Sequence, residues 1–422
     1  MKTISSFLLG VTCASLVSGA AFAQSSNSNK FLASKQFGEA TKYLAEDFDN
    51  IVKETINLTE IPAPPFKETE RGKYFQTLLQ SAGLEDVETD AVGNVMGLYK
   101  GKKHDKVLVV AAHLDTVFPA GTDVKVKIDG NKYKAPGIGD DTVSLAVMVS
   151  LIKAIKASGI QTQYDILFVG NVGEEGPGNL RGTKYLFNEG KYKGKIKSFI
   201  SLEPGAAGDI TDAGIGSKRY KVDFNGPGGH SFGDFGIVSP AYAMADAITK
   251  FTEYPNELKN QTTYNVGIVE GGTSVNSIPF KVSMTVDMRS ASADDLKQLD
   301  DYFVSVLPKA VENENSKRST RKGEISYKAN IIGERPVGKT AHDTEIFKIT
   351  EGVYKKFGYP LTTSASSTDS NVPMSLGIPA LTLGSGIESF NAHSPDEYLV
   401  IEKEKNLKAI AANLAIVVLN AN

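Results

Sequence analysis

The sequence predicts an α/β protein: a doubly wound domain on a mixed sheet, interrupted by an inserted α+β module of ferredoxin-like order. Three observations predict it. Apolar runs at 107–112, 165–169 and 198–202 read as strands buried on both faces. The segment 144–155 reads as a buried helix among them, which gives the strand–helix alternation of a doubly wound sheet. Near Gly216 the rhythm changes to alternating polar and apolar residues, in the order strand, helix, strand, strand, helix, strand.

The elements follow in order. A helix is predicted over 40–58, and Pro62, Pro64 and Pro65 close it. A second helix is predicted from about 68 to 82. In the inserted module, strands are predicted at 219–224, 264–269, 281–288 and 324–331, with helices at 240–251 and 293–311. The charged stretch 312–322 reads as a solvated helix end and turn. The chain then returns to α/β character, with a helix at 342–357 and a strand at 379–383. The two domains so defined are 31–215 with 332–422, and 216–331. A length of 422 residues suits two domains better than one.

The N-terminus has the pattern of an address. Lys2 precedes an apolar stretch over 4–22 that ends in Ala21-Phe22-Ala23, a small-x-small cleavage pattern. Residues 1–23 are therefore predicted to be a signal peptide, and the mature protein to be secreted or periplasmic. The stretch is too short and too interrupted for a membrane span. Residues 24–30 (QSSNSNK) read as a disordered linker. Cys13 is the only cysteine, so cleavage leaves a mature chain that can hold a metal only through His and carboxylates. A formal net charge of −3 gives no basis for a nucleic acid or anionic membrane partner.

Five short motifs sit at strand ends. His113-Leu114-Asp115 follows the 107–112 run, where a side chain faces the cleft of an α/β sheet and a nearby carboxylate can orient an imidazole. Gly137-Ile138-Gly139-Asp140-Asp141 opens the 144 helix. Its glycines permit a tight turn, and one aspartate can bridge two cations; a helix N-cap pair is the plainer reading. Gly173-Glu174-Glu175-Gly176 places two carboxylates side by side, one suited to ligate and one to act as a base. Glu203-Pro204 follows the 198–202 strand, and Asn391-Ala392-His393-Ser394-Pro395-Asp396-Glu397 follows the 379–383 strand. Each is weak alone: His113 and His393 would pass as structural histidines, and Glu203-Pro204 as a turn. Together, two of the five histidines and three carboxylate motifs suit a pair of zinc ions sharing a bridging carboxylate.

The ordered series HLD, GIGDD, GEEG, LEPG and NAHSPDE resembles the M-20 type metallopeptidase and deacylase family, over essentially the whole mature chain. That family includes glutamate carboxypeptidase, aminoacylase, tripeptide aminopeptidase and acetylornithine deacetylase. The resemblance implies a zinc-exopeptidase type catalytic domain and a lid and dimerisation domain at 216–331. It implies metal ligands His113, Asp140 as the bridge, Glu175, Glu203 and His393, with Asp115 orienting His113 and Glu174 as general base. Two zinc ions per chain are expected, replaceable by cobalt or manganese. Gly228-Gly229-His230-Ser231 matches the family's lid histidine, which stabilises the tetrahedral oxyanion and can serve a partner's site in a homodimer. Asn276 and Arg289 resemble lid residues that hold substrate polar groups; a surface ion pair is the plainer reading of Arg289.

Two features depart from the family pattern. Thr142 stands where many relatives have Lys, and the segment 367–371 resembles a substrate-side loop without the glycines some deacylases carry. Glu at position 203 tilts the expected substrate toward a C-terminal peptide bond or an N-acyl amino acid. A tripeptide-type aminopeptidase is the alternative within the family. A catalytically silent metal- or peptide-binding protein is the alternative outside it, and would need a broken base or ligand, which the motifs do not show.

Overall fold

A computed structural model describes residues 28–255 and 259–422. The predicted signal peptide lies outside the described residues. The chain divides into two units. The first comprises residues up to Asp212, Thr340–Ser364 and Ile378–Asn422; the second comprises Ala213–Lys339 and Ala365–Gly377.

The first unit is built on the apolar runs. Strands Lys103–His113, Tyr164–Asn171, Ile196–Glu203 and Ala380–Gly384 lie parallel, in the order 164–171, 103–113, 196–203, 380–384. Their residues Val107 to Ala112 are buried on both faces, as an unbroken apolar run requires. An antiparallel hairpin, Glu85–Thr89 and Val95–Tyr99, extends one side through the 164–171 strand. On the other side, Ile210 and Thr211 pair antiparallel with Leu383 and Thr382. The sheet is therefore mixed. The helix Ser144–Ala157 is apolar nearly all round because nearly all of it is buried, packed against Lys35–Thr59 and Lys403–Asn420. Ser150 Oγ donates to Asp47 Oδ2 at 2.8 Å between the first two of these helices.

The second unit has the ferredoxin-like order. Strands Gly216–Asn225, Thr263–Gly271, Lys281–Ser290 and Ser326–Arg335 form an antiparallel sheet in the order 263–271, 281–290, 216–225, 326–335. Alternation puts Tyr220, Val222 and Phe224 into the core while Arg219, Lys221 and Asp223 take the opposite face. Helices Pro240–Phe251 and Ala293–Lys317 cover the apolar face, with Phe251 and Phe303 ring centroids 4.8 Å apart. Ser292 caps the second helix by accepting from the Asp295 amide at 3.2 Å.

The differences from expectation have physical causes. Residues 28–30, expected in a disordered linker, open a short helix over 28–32, which Phe31 anchors by packing edge-on against Phe37 at 5.3 Å. The helix from Ala293 continues to Lys317, into the charged stretch, because Glu314 is buried and accepts from the Ser239 amide at 2.9 Å. The second unit also extends beyond 216–331. Its last strand runs to Arg335, whose guanidinium donates to Ser367 Oγ at 3.2 Å, and the Asn371 amide donates to the carbonyls of Ile215 and Pro336. These bonds draw Ala365–Gly377 into that unit.

Candidate active site

All four parallel strands deliver their C-terminal ends to one side of the sheet, where α/β proteins bind ligands. His113 is the last residue of its strand, is 1% exposed, and lies in register with Asn171, two residues before the GEEG turn. Glu203 ends the next strand, beside Gly384. Three of the four apolar runs thus end in a polar residue, His113, Asn171 and Glu203.

Two carboxylates hold the ligand-bearing loops without belonging to the expected ligand set. The Asp115 carboxylate accepts from the amides of Glu174 at 3.0 Å and Glu175 at 2.8 Å, which fixes the GEEG turn. The His113 ring is oriented by the main chain of the same residue, because His113 Nδ1 lies 2.9 Å from the Asp115 carbonyl oxygen and 3.7 Å from its carboxylate. Glu397, fully buried, accepts from the amides of Gly137 at 3.0 Å, Gly139 at 2.7 Å and Asp140 at 2.9 Å. The glycines make this possible. Gly137 has φ +75°, and a Cβ at Gly139 would stand 2.0 Å from Ser389 Oγ and 2.9 Å from Glu397 Oε1.

The turn aims Asp140 between two imidazoles. Its Oδ1 lies 2.8 Å from His113 Nε2 and its Oδ2 lies 3.1 Å from His393 Nε2. His393 also lies 3.1 Å from Glu175 Oε1, and His113 Nε2 is 3.8 Å from Glu203 Oε2. The five residues expected as metal ligands therefore converge, although Asp140 and His393 are 253 positions apart. Asp141 joins them: its Oδ2 accepts from the His113 amide at 2.9 Å, and it groups with His113 and Glu203. The Asp140–Asp141 peptide is cis.

The electrostatics of this cluster are those of crowded, buried carboxyls beside two imidazoles. Burial, and then the Asp141 charge, push the Glu203 carboxyl well above its usual range, and burial does the same to Asp141. Burial also disfavours a charged Asp140, but hydrogen bonds from His113 and His393 hold that carboxyl well below its usual range. His393 is pushed up to about 10 by its bonds to Asp140 and Glu175. Burial opposes charge on His113, yet the bond to Asp140 and the nearby carboxylates keep that imidazole well above its usual value. Asp141 Oδ1 is buried without a hydrogen-bond partner. Two triads, His113–Asp140–Glu175 and His113–Asp141–Glu203, each bring their ligand atoms within 4.8 Å of one another. An imidazole and carboxylate donor set with an orphaned buried oxygen fits a divalent metal centre that these residues would hold.

A buried arginine lies behind this array and was not singled out from sequence, where it reads as one charge on the helix Thr69–Ser81. Arg71 is 1% exposed and donates to the carbonyls of Ile61 at 3.0 Å and Leu114 at 2.8 Å. Burial lowers its pKa to about 10, while Asp115, Glu68 and Asp141 favour its charge. Arg71→Met should lower stability, because each carbonyl left without a donor costs about 1–3 kcal/mol. The urea midpoint should fall; an unchanged midpoint would show that the guanidinium contributes nothing net.

The remaining expected residues lie in the second unit. His230 is exposed, on the two-residue strand Gly229–His230 paired with Ser277–Ile278. Its Nδ1 accepts from the amides of Phe232 at 3.2 Å and Gly233 at 3.3 Å, so the neutral ring carries its proton on Nε2. Asn276 borders it, its carbonyl accepting from the Ser231 amide at 2.9 Å, while Ser274 donates to its side chain. Arg289 Nε pairs with Asp287 Oδ2 at 2.8 Å, and Arg219 Nε takes the other oxygen at 2.7 Å, so two guanidiniums share one carboxylate.

A mixed sheet with imidazoles and carboxylates gathered at the ends of its parallel strands, plus a ferredoxin-like module, is the architecture of a two-domain hydrolase. The chain belongs to the peptidase family M20/M25/M40, whose signature matches residues 109–419. Carboxypeptidase G2 of Pseudomonas sp. (strain RS-16) is 25% identical over 425 residues, covering 96% of each chain. Among solved structures, aminopeptidase PepT from Bacillus cereus aligns with a TM-score of 0.70 at 23% identity, over 89% of this chain and 99% of that one. YXEP of Bacillus subtilis, a dinuclear metal binding peptidase of the M20 family, aligns with a TM-score of 0.63 at 16% identity, over 89% and 99%. These two likenesses establish the fold, and family membership makes the chain a hydrolytic enzyme.

Proposed function

We propose that the protein is a secreted or periplasmic dizinc hydrolase that cleaves the C-terminal peptide bond of a small peptide or the amide of an N-acyl amino acid. The observation that carries this reading is Asp140 set between His113 and His393, beside the triads His113–Asp140–Glu175 and His113–Asp141–Glu203. The ions would supply polarisation of the scissile carbonyl and acidify the attacking water.

The chain's own residues do the rest. Glu174, its amide fixed by Asp115, takes the proton of the attacking water and passes it to the leaving nitrogen. His230 donates from Nε2 to the carbonyl oxygen as negative charge develops there. Asn276 and Arg289 hold substrate polar groups; Asp287 fixes Nε of Arg289, which presents its planar fork to a carboxylate. A homodimer through the second unit would let one chain's His230 serve the other's site. Export rests on the N-terminal pattern around Lys2 and Ala23.

The carboxypeptidase or deacylase reading is supported by the Glu at position 203 and by the full-length similarity to carboxypeptidase G2. A screen of N-acyl amino acids against di- and tripeptides blocked at either end tests it. Turnover of substrates with a free C-terminal carboxylate and a blocked N-terminus is expected. Turnover only of peptides with a free amino terminus would replace this reading with a tripeptide-type aminopeptidase.

A further inference from the structure

Glu397 is the last residue of the NAHSPDE motif, four positions after His393. Its main chain is tied down on both sides: its carbonyl accepts from Ala135 at 3.1 Å, and its amide donates to Ser394 at 3.1 Å. The next residues, Tyr398–Val400, pair with Lys132–Lys134, the strand that leads into the glycine-rich turn. From this fixed base the carboxylate enters the turn and accepts three consecutive-turn amides, those of Gly137, Gly139 and Asp140. A Cβ on Gly139 would stand 2.9 Å from Glu397 Oε1, in space that Ser389 crowds more closely still. A solvated acidic residue would have no reason to be fully buried, and no expected metal ligand role falls on it.

We propose that Glu397 is a positioning residue that locks the turn bearing Asp140 to the loop bearing His393, so that both halves of the divalent-ion site stand assembled before an ion arrives. This rests on the two-ion reading above. The chemistry suits the task. A carboxylate presents two oxygens that only accept, which matches a turn offering only N–H donors. Outer residues that hold ligands in this way set metal affinity without touching the metal.

Glu397→Gln tests it. The amide is the same size, but its NH2 group meets a backbone N–H, so at least one of the three bonds is lost. Zinc and cobalt affinities of the full chain, measured by chelator competition, should weaken by about 10–100-fold, with an altered cobalt absorption spectrum. A role in folding alone would lower the unfolding midpoint of the metal-free protein yet leave the affinities of the folded fraction unchanged; that result overturns the proposal. Should the variant not fold, hydrogen exchange on the metal-free wild type decides. Protected amides at Gly137, Gly139 and Asp140 support the brace. Free exchange there, with protection appearing only on metal loading, overturns it. A wild type that binds no divalent ion refutes the two-ion reading instead, and the exchange measurement still judges the brace.

Discussion

Glu174→Gln should abolish most turnover while the protein keeps its full metal complement. The substitution preserves shape and hydrogen-bonding reach but removes the basic oxygen pair. General acid–base catalysis by one positioned group contributes about 100–10,000-fold, so a loss of that size in kcat is expected. Metal content should hold, because neither metal-ligand triad includes Glu174. The neighbouring carboxylate gives the contrast. Glu175 belongs to the triad with His113 and Asp140 and lies 3.1 Å from His393 Nε2, so Glu175→Gln should lose metal and activity together. Normal turnover in Glu174→Gln, with an inactive but metal-replete Glu175→Gln, would exchange the two roles. Because the Asp115 carboxylate holds both amides, exchange of roles would need no change in the turn itself.

His230→Ala should lower kcat by about 100–1000-fold, the typical cost of one oxyanion donor, with little change in KM or metal content. The imidazole is exposed, and its Nδ1 is committed to two backbone amides, leaving only Nε2–H to offer. A group that interacts only as charge develops lowers kcat rather than substrate binding. Mixing His230→Ala with Glu174→Gln subunits separates two arrangements. Recovered activity in mixed dimers would show that the partner supplies the histidine, since such a dimer contains one intact composite site. No recovery in verified mixed dimers would assign it to its own chain, and unchanged kinetics in His230→Ala alone would remove it from the mechanism.

Much of this site was legible in the sequence because strand burial and ligand chemistry leave local marks. Val107 to Ala112 is apolar without alternation because both faces of the central sheet are covered, and His113 is conspicuous as the polar residue that ends it. The same logic delivered Glu203 and the GEEG turn. The alternation Tyr220–Val222–Phe224 marked a sheet covered on one face only. What was missed has no local mark. Arg71 sits in a polar helical segment, and only the fold turns it inward to the Leu114 carbonyl. Glu397 looks like the tail of a metal motif, whereas its bonds go to a turn some 258 residues earlier. The helix Lys403–Asn420 opens with exposed charges and is then buried on nearly every side from Ala409 to Leu419, which erases the amphipathic period. The hairpin Glu85–Tyr99 is two short strands, one of them mostly exposed, that a period-2 pattern cannot separate from loop. Asp115 was legible as important, but the division of labour between its carbonyl and its carboxylate could come only from coordinates.

The proposed function requires His113, Asp140, Glu175, Glu203 and His393 to build one site for two divalent ions on which hydrolysis depends. Metal analysis of the purified protein, with activity followed through chelation and zinc reconstitution, tests it directly. About two ions per chain are expected, with activity lost on chelation and restored as the second ion returns. Less than one ion per active chain, or full activity in the chelated enzyme, would contradict it.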